Sequence, residues 1–221
     1  MLNFPKTTEF GRRIPKQKFY ENLDVTAEVK RLFVEQIKLI TWRNKLSAQT
    51  MNIAPGQSVT EIEVFHIRLQ GGEIDPAVLR TMDRQIPYHI LFLLERESGE
   101  CKLLLSYKEA SQSGANAFQL RQAYQTEWMP PQHLELNLTA LDMDGLYESL
   151  VRQIAGDALQ AEGESLKESV EQTQEKEKLQ RQIQQLKARM KKEKQLSRQM
   201  ELRREITRLE GTLKDEYFDK I

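Results

Sequence analysis

The C-terminal part of the chain constrains folding most strongly, because neither glycine nor proline occurs between Gly163 and Gly211. It consists mainly of Glu, Lys, Gln and Arg with isolated Leu, Ile and Met, a composition that favours long helices and cannot build a core of its own. Apolar residues are concentrated before it, in runs with strand-like and helix-like spacing. The sequence therefore predicts two domains, a globular domain over residues 1–160 and a basic helical tail over residues 161–221.

Two apolar seams run along the tail, each with the four-three-four spacing of helices that pack against other helices. They do not share one heptad register, because the equivalent positions Met190 and Ile206 are sixteen residues apart, which is not a multiple of seven. Either a stutter or a turn must lie near KKEKQLSR, residues 191–198. A turn would give an antiparallel helical hairpin, whereas a stutter would leave one rod able to dimerise as a coiled coil. The seam residues are Leu179, Ile183, Leu186, Met190, Leu202, Ile206, Leu209 and Leu213.

The tail is also locally basic. Ten basic residues and three acidic ones lie between Arg181 and Arg208, although the whole chain balances 33 bases against 33 acids. Clustered bases bind phosphates by releasing counterions from nucleic acid, but exposed positions of paired helices are often charged as well. The candidate contacts to nucleic acid or a protein partner are Arg189, Lys191, Lys192, Lys194 and Arg198, and a solvated helix face is the alternative.

A second basic stretch, RRIPKQKFYENL, lies near the N-terminus. Basic side chains beside aromatic rings suit contacts to phosphates combined with stacking of the rings on nucleobases. Alternatively, Ile14, Phe19 and Leu23 fix this arm to the core while its bases stay in solvent. The candidate contact residues are Arg12, Arg13, Lys16, Lys18, Phe19 and Tyr20.

The first 160 residues alternate between helix and strand signals, which predicts an α+β fold. Helices are indicated by AEVKRLFVEQIKLITW, with Asp24 or Thr26 as N-cap, by DPAVLRTMDRQIP, with Asp75 as N-cap and Pro76 at the first position, and by DMDGLYESLVRQIAGDALQ. Strands are indicated by ITWRNKLS, VTEIEVFHIRLQ, two runs within YHILFLLERESGECKLLLSYKE, and AFQLRQAYQTEWM. The HILFLL run is expected to be central and buried on both faces. We predict a mixed β-sheet with flanking helices, followed by the long C-terminal helical extension.

The strand VTEIEVFHIRLQ invites comparison with PD-(D/E)XK nucleases, in which carboxylates hold a divalent metal beside a lysine. Glu61 and Glu63 are the candidate carboxylates and Arg68 is the candidate base. The Glu-x-Lys pattern of those enzymes is absent, and side chains alternate along a strand, so the acids and Arg68 should point to opposite faces. A nucleic-acid-binding component with a degenerate or divergent nuclease fold is therefore the alternative reading, with these three residues at its catalytic position.

Other signals of catalysis or cofactor binding are missing from the sequence. Cys101 is the only cysteine and the three histidines are scattered, so no metal-ligand spacing occurs. Neither GxGxxG nor GxxxxGK[ST] is present. We expect no metal and no cofactor, and the pattern favours a protein that is not an enzyme. The start MLNFPKTTEF lacks the features of a secretion signal, and no segment has the roughly 18 apolar residues of a membrane span, which predicts a cytoplasmic protein.

Several motifs, taken in order, resemble a bacterial family of unknown function. They are TEFGRRIPKQKFYENLDVT, VTEIEVFHIRL, IPYHILFLLE, YKEA and LYESLVRQIAGDALQ, followed by the basic helical tail. RIPKQKFYENL is the most specific of them. The resemblance implies a small protein encoded in anti-phage defence islands beside genes for a helicase and a DNA methyltransferase, and it brings no established enzymatic activity.

The tail also bears on function, since one helix alone cannot bury its apolar seams and a partner helix is required. Combined with the resemblance, this predicts a non-catalytic accessory or adaptor subunit of a bacterial anti-phage defence system. Its tail would associate with a DNA-handling enzyme, a helicase or DNA methyltransferase. A homo-oligomer formed through the tail is a further alternative, and whether DNA or RNA is bound stays open.

Overall fold

The structure is a computed structural model that describes residues 2–110, 118–159 and 165–217. The chain divides into two compact units, Met1–Gly156 and Asp157–Ile221, and the boundary predicted from sequence lies at residue 160. The first unit contains a β-sheet with helices and the second contains two long helices. The predicted α+β class, with a mixed sheet and a helical C-terminal extension, is confirmed.

The sheet of the first unit follows chain order, β1 to β6. Its strands are β1 Glu9–Ile14, β2 Ile37–Ser47, β3 Glu61–Leu69, β4 His89–Glu95, β5 Cys101–Ala110 and β6 Phe118–Gln125. Neighbouring strands are antiparallel except β3 and β4, which are parallel. A parallel pair needs a crossover connection, and a helix between β3 and β4 provides it.

The helices are α1 Lys16–Asn22, α2 Ala27–Gln36, α3 Ala48–Met51, α4 Pro76–Gln85, α5 Met143–Ala155, α6 Leu166–Lys192 and α7 Leu196–Tyr217. Side chains predicted to cap helix N-termini do so. Thr26 caps α2, and Asp75 caps α4 with Pro76 at the first helical turn. Each capping side chain accepts a hydrogen bond from one of the backbone amides that have no intrahelical partner in the first turn.

The core of the first unit forms around β4, which was expected to be central. Every residue from His89 to Leu94 is buried, which confirms a strand buried on both faces. One hydrophobic cluster combines Phe19 of α1, Phe33 of α2 and Met82 of α4 with side chains of the sheet. Helix α5 packs against β5 and β6.

The boundary between α2 and β2 differs from the prediction. The helical pattern was predicted to continue past Ile37, with a strand beginning at Ile40, but the helix ends at Gln36 and β2 begins at Ile37. Strand pairing with β3 outweighs the helical spacing of the isoleucines. The end of α2 is stabilised by Lys16 Nζ and Gln70 Nε2, which both donate to the backbone carbonyls of Val34 and Ile37.

Strand β1 was not predicted. It is an edge strand paired with β2, and its residues are mostly exposed, so it lacks the alternating apolar pattern of a half-buried strand. The pairing register shifts between Glu9 and Arg12, where Gly11 has a positive φ of 61°. A glycine adopts that conformation without steric cost.

Candidate functional site

The C-terminal unit is a helical hairpin, made of α6, the connection Glu193–Gln195 and α7. The two helices pack against each other, and a salt bridge of 2.7 Å joins Lys187 Nζ to Glu210 Oε1. Of the two arrangements that the seam register allowed, the chain adopts the turn. The single rod with a stutter is therefore not the structure of this tail.

The connection needs no glycine because Glu193 ends α6 in an extended conformation, with φ −73° and ψ 133°. Its Oε1 accepts hydrogen bonds from the backbone N of Lys194 and Gln195, at 2.8 and 2.9 Å. These bonds, with the nearby Arg198 and Arg189, lower the pKa of Glu193. A carboxylate beside the free amides at the start of α7 also suits the helix dipole.

The hairpin covers its apolar seam only in part. Ile183 and Ile206 are buried, at 4% and 5% exposure. The other six predicted seam residues are half-buried: Leu179, Leu186, Met190, Leu202, Leu209 and Leu213. Leu196 and Met200, near the start of α7, are 71% and 52% exposed. A groove of about 720 Å³ also runs beside Ile183 and Leu213. The two helices thus bury part of each other's apolar surface and leave the rest exposed to solvent.

The hairpin brings the predicted basic contacts of the tail together. Arg189, Lys191 and Lys192 end α6, Lys194 lies in the connection and Arg198 is in the first turn of α7. All five side chains are exposed. The structure therefore places them around one end of the hairpin, where they are available to a partner.

The N-terminal arm divides into anchoring and exposed residues. Phe19 is buried in the core, with its ring centroid 6.0 Å from that of Phe33, so it is unavailable for stacking on a base. Lys16 is engaged at the end of α2, and Lys30 lies over the ring of Tyr20. The exposed members are Arg12, Arg13 and Lys18. Phe19 thus lies where the anchoring alternative puts it, whereas Lys16, a basic residue that this alternative leaves in solvent, is engaged by backbone carbonyls.

Glu61 and Glu63 lie side by side on β3 with a base from the neighbouring strand. Lys45 Nζ is 2.5 Å from Glu61 Oε2, and Trp42 Nε1 donates to Glu63 Oε2 at 2.6 Å. Glu63 is only 2% exposed. Burial, followed by the charge of Glu61, raises the pKa of Glu63 to about 7. The pair can therefore hold a proton near neutral pH.

Arg68 does not join the two acids. It lies 3.6 Å from Glu95 through its Nε, and His66 Nε2 lies 2.6 Å from the same carboxylate. Burial lowers the pKa of His66. The base beside the acids is instead Lys45, which sequence analysis missed. It is opposite Glu63 in the register of β2 and β3, and one strand read alone does not reveal such a partner.

The sequence also did not predict a buried ion pair between Lys108 and Asp83. Lys108 Nζ is 2.8 Å from Asp83 Oδ1 and donates to the carbonyl oxygens of Asp83 and Tyr88, at 2.6 and 2.7 Å. Burial lowers the pKa of Lys108 and raises that of Asp83. Both side chains are 1% exposed, so the pair acts within the core.

Two further titratable residues of the first unit, His89 and Cys101, are buried. His89 packs against the rings of Tyr147 and Phe118, with centroid distances of 4.2 and 4.8 Å. Burial lowers the pKa of His89 to about 3, so it is neutral at physiological pH. Burial also raises the pKa of the Cys101 thiol, which stays protonated. Across residues 2–110, 118–159 and 165–217, no group of three or more His, Cys, Asp or Glu residues could hold a metal ion.

Fold and surfaces together define a two-unit protein, an α+β domain with a mixed sheet followed by a basic helical hairpin. The family described as "Domain of unknown function (DUF4391)" matches residues 2–213, and the chain belongs to this family. No curated protein and no solved structure matches the chain. Within the part of the chain that the structure describes, none of the helices has both the length and the apolar character needed to cross a membrane.

Proposed function

We propose that the protein is a non-catalytic accessory subunit of a bacterial anti-phage defence system, and that its helical hairpin binds a partner protein in the cytoplasm. The observation that carries the proposal is the incompletely covered seam of the hairpin. The resemblance to a family encoded in defence islands supports a DNA-handling enzyme, a helicase or DNA methyltransferase, as the partner.

The seam offers a useful amount of binding free energy. Full burial of one Leu or Met side chain contributes about 1.5–3 kcal/mol. Leu196 and Met200 are exposed and six seam side chains are half-buried, so a partner helix could cover apolar area that the hairpin leaves in solvent. Recognition of this kind, a helix against an apolar groove, is common among helical binding proteins.

The surroundings of Glu61 and Glu63 support a non-catalytic role. Lys45 neutralises Glu61, and Trp42 engages Glu63 within the core. Nuclease sites of the PD-(D/E)XK kind need carboxylates that face a metal and substrate. A carboxyl group that is 2% exposed cannot reach a phosphodiester without rearrangement of the strand.

The test is a tagged pull-down of the full-length protein from its native host after nuclease treatment, read by mass spectrometry. The seam variant, Leu196→Glu with Met200→Glu, places charge at the two exposed apolar positions of α7, which precede the seam residue Leu202 and where the hairpin itself should tolerate it. We expect a helicase or methyltransferase to be recovered with the unaltered protein and lost with this variant. Leu141→Glu is the matched control, because Leu141 is 91% exposed and lies outside the hairpin.

Recovery of the same enzyme by the unaltered protein and the seam variant would show that the exposed apolar surface at Leu196 and Met200 is not the binding surface. A second copy of the chain is the other occupant that such a seam could accept. Sedimentation equilibrium distinguishes the two, because a homodimer should dissociate on dilution and should be lost in the seam variant.

A further inference from the structure

Charge is unevenly distributed along the hairpin. The turn end, residues 181–208, carries ten bases and three acids, whereas residues 165–180 and 209–217 carry four bases and seven acids. Because the connection folds α7 back onto α6, the bases of both helices gather at the same end. The neutral total of the chain conceals a strongly positive surface.

Most of these basic residues form no salt bridge, although Arg189 and Arg198 lie near the Glu193 carboxylate. Arg181 pairs with Glu177 and Lys187 with Glu210. Eight others form no salt bridge with any residue in the described part of the chain: Arg189, Lys191, Lys192, Lys194, Arg198, Arg203, Arg204 and Arg208. All eight are exposed.

The single acid in the connection does not neutralise this surface. The Glu193 carboxylate is engaged by the backbone amides of Lys194 and Gln195, which hold it at the start of α7. Gln199 Nε2 donates to the Glu193 carbonyl oxygen at 2.6 Å and closes the turn further. The bases around this turn therefore face solvent with their positive charge largely uncompensated.

The dimensions of the turn end suit a nucleic-acid backbone. At 1.5 Å per residue, the basic part of each helix extends over roughly 15 Å. A duplex presents about nine phosphate charges over that length. Five of the eight basic residues without a salt bridge are arginines, whose guanidinium groups can form two hydrogen bonds to one phosphate.

A membrane surface fits this end of the hairpin less well. Helices that lie on membranes combine bases with a broad apolar face rich in Trp, Phe and Leu. The one aromatic residue of the hairpin, Tyr217, is at the end of α7 remote from the turn, and the large apolar residues described as exposed in the hairpin are Leu196 and Met200. The phosphates of a nucleic-acid backbone are the better match for basic side chains distributed along two helices.

We propose that the turn end of the hairpin binds the phosphate backbone of nucleic acid without reading its sequence, through Arg189, Lys191, Lys192, Lys194 and Arg198. This contact goes beyond the proposed function, because it uses the charged end of the hairpin and not the apolar seam. A protein with both surfaces would hold its partner enzyme on DNA.

The experiment is fluorescence anisotropy of a labelled duplex DNA of arbitrary sequence, titrated with full-length protein over a series of salt concentrations. The test variant replaces Lys191, Lys192 and Lys194 with Gln. The control variant replaces Lys167, Lys176 and Lys178 with Gln, which removes the same charge from the N-terminal half of α6, away from the turn. Thermal unfolding of both variants establishes that they are folded.

We expect the unaltered protein to bind the duplex with an affinity that falls steeply with salt. The test variant should bind about tenfold more weakly or worse, and its slope of log K against log salt should be smaller by about 2–3, near 0.9 for each lost phosphate contact. The control variant should behave like the unaltered protein. Equal loss in both variants, or no loss in either, would overturn the proposal.

Two further measurements separate this contact from other surfaces and ligands. No binding to duplex or single-stranded DNA, together with sedimentation on phosphatidylserine vesicles, would overturn the proposal in favour of a membrane contact. The seam variant Leu196→Glu with Met200→Glu should retain DNA binding, whereas the lysine variant should retain its partner enzyme after nuclease treatment. The two proposals can therefore fail independently.

Discussion

Glu63 and Lys108 are charged residues in the interior of the first unit, with only 2% and 4% of the whole residue exposed, and different neighbours hold each of them there. Glu63 has a tryptophan donor and a like charge beside it, whereas Lys108 has a carboxylate and two carbonyl oxygens. A buried charge costs free energy unless it is paired or neutralised. The two residues should therefore respond in different ways to pH and to mutation.

Glu63 should make the stability of the protein depend on pH. Its pKa rises from 4.5 to about 7 on folding, so the folded state retains a proton that the unfolded state loses between those values. Stability should fall as pH rises from about 4.5 to 7 and then level off, by about 3 kcal/mol in total. Glu63→Gln should remove this fall in a urea unfolding series across pH. Glu127→Gln, at an exposed position, should leave the profile unchanged, and an unaltered profile in Glu63→Gln would contradict the expectation.

Lys108→Met should strongly destabilise the protein. The change leaves the Asp83 carboxylate buried without its cation, which costs about 3–5 kcal/mol in the free energy of unfolding. Lys187→Met is the matched control, because Lys187 forms its salt bridge with Glu210 at the surface and should cost about 1 kcal/mol or less. Chemical denaturation measures both, and a second substitution, Asp83→Leu, should recover much of the loss. Equal effects at the two lysines would argue against a core role for the Asp83 pair.

At the scale of elements, helix and strand types were largely predictable and several boundaries were not. HILFLL had the composition of a central strand, and Asp75-Pro76 marked the start of α4 through chemistry local to the chain. The end of α2 depends on donors from Lys16 and Gln70, which are distant in sequence, and β1 depends on pairing with β2. Local patterns predict elements that local interactions define, and they miss those that distant partners define.

The loop before β3 depends on one such distant contact, with α5. The Asp144 carboxylate accepts hydrogen bonds from the backbone N of Gln57, Ser58 and Val59, and a methyl group on Gly56 would lie 2.6 Å from Asp144 Oδ1. Gly56→Ala should therefore lower the free energy of unfolding by about 1–3 kcal/mol.

The control for this loop is Gly72→Ala, because a methyl group at Gly72 would meet nothing within 4 Å. Its effect should stay within about 0.5 kcal/mol. Thermal or urea unfolding monitored by circular dichroism compares the two variants. Similar stabilities for both would show that the loop moves away from Asp144 at little cost.

At the scale of the whole molecule, the chain combines a domain that buries Glu63 and the Asp83–Lys108 pair with a hairpin that carries exposed basic residues and a partly covered apolar seam. Its heptad spacing predicted the seam, and the mismatch of register between the two halves predicted that a turn or stutter must occur. The turn is capped by Glu193, and the sequence has no glycine or proline there that would have predicted a turn in place of a stutter. The Lys45 partner of Glu61 likewise depends on strand register, which the sequence of β3 alone does not contain.

The most direct test of the hairpin as a binding surface is photo-crosslinking in the native host, with a photoreactive amino acid in place of the exposed Leu196. The same substitution at Leu141, exposed in the first unit, is the control. We expect position 196 to crosslink to a helicase or DNA methyltransferase and position 141 to give no such product. Crosslinks from position 196 to a second copy of the chain alone, or no crosslink at all, would contradict the adaptor function.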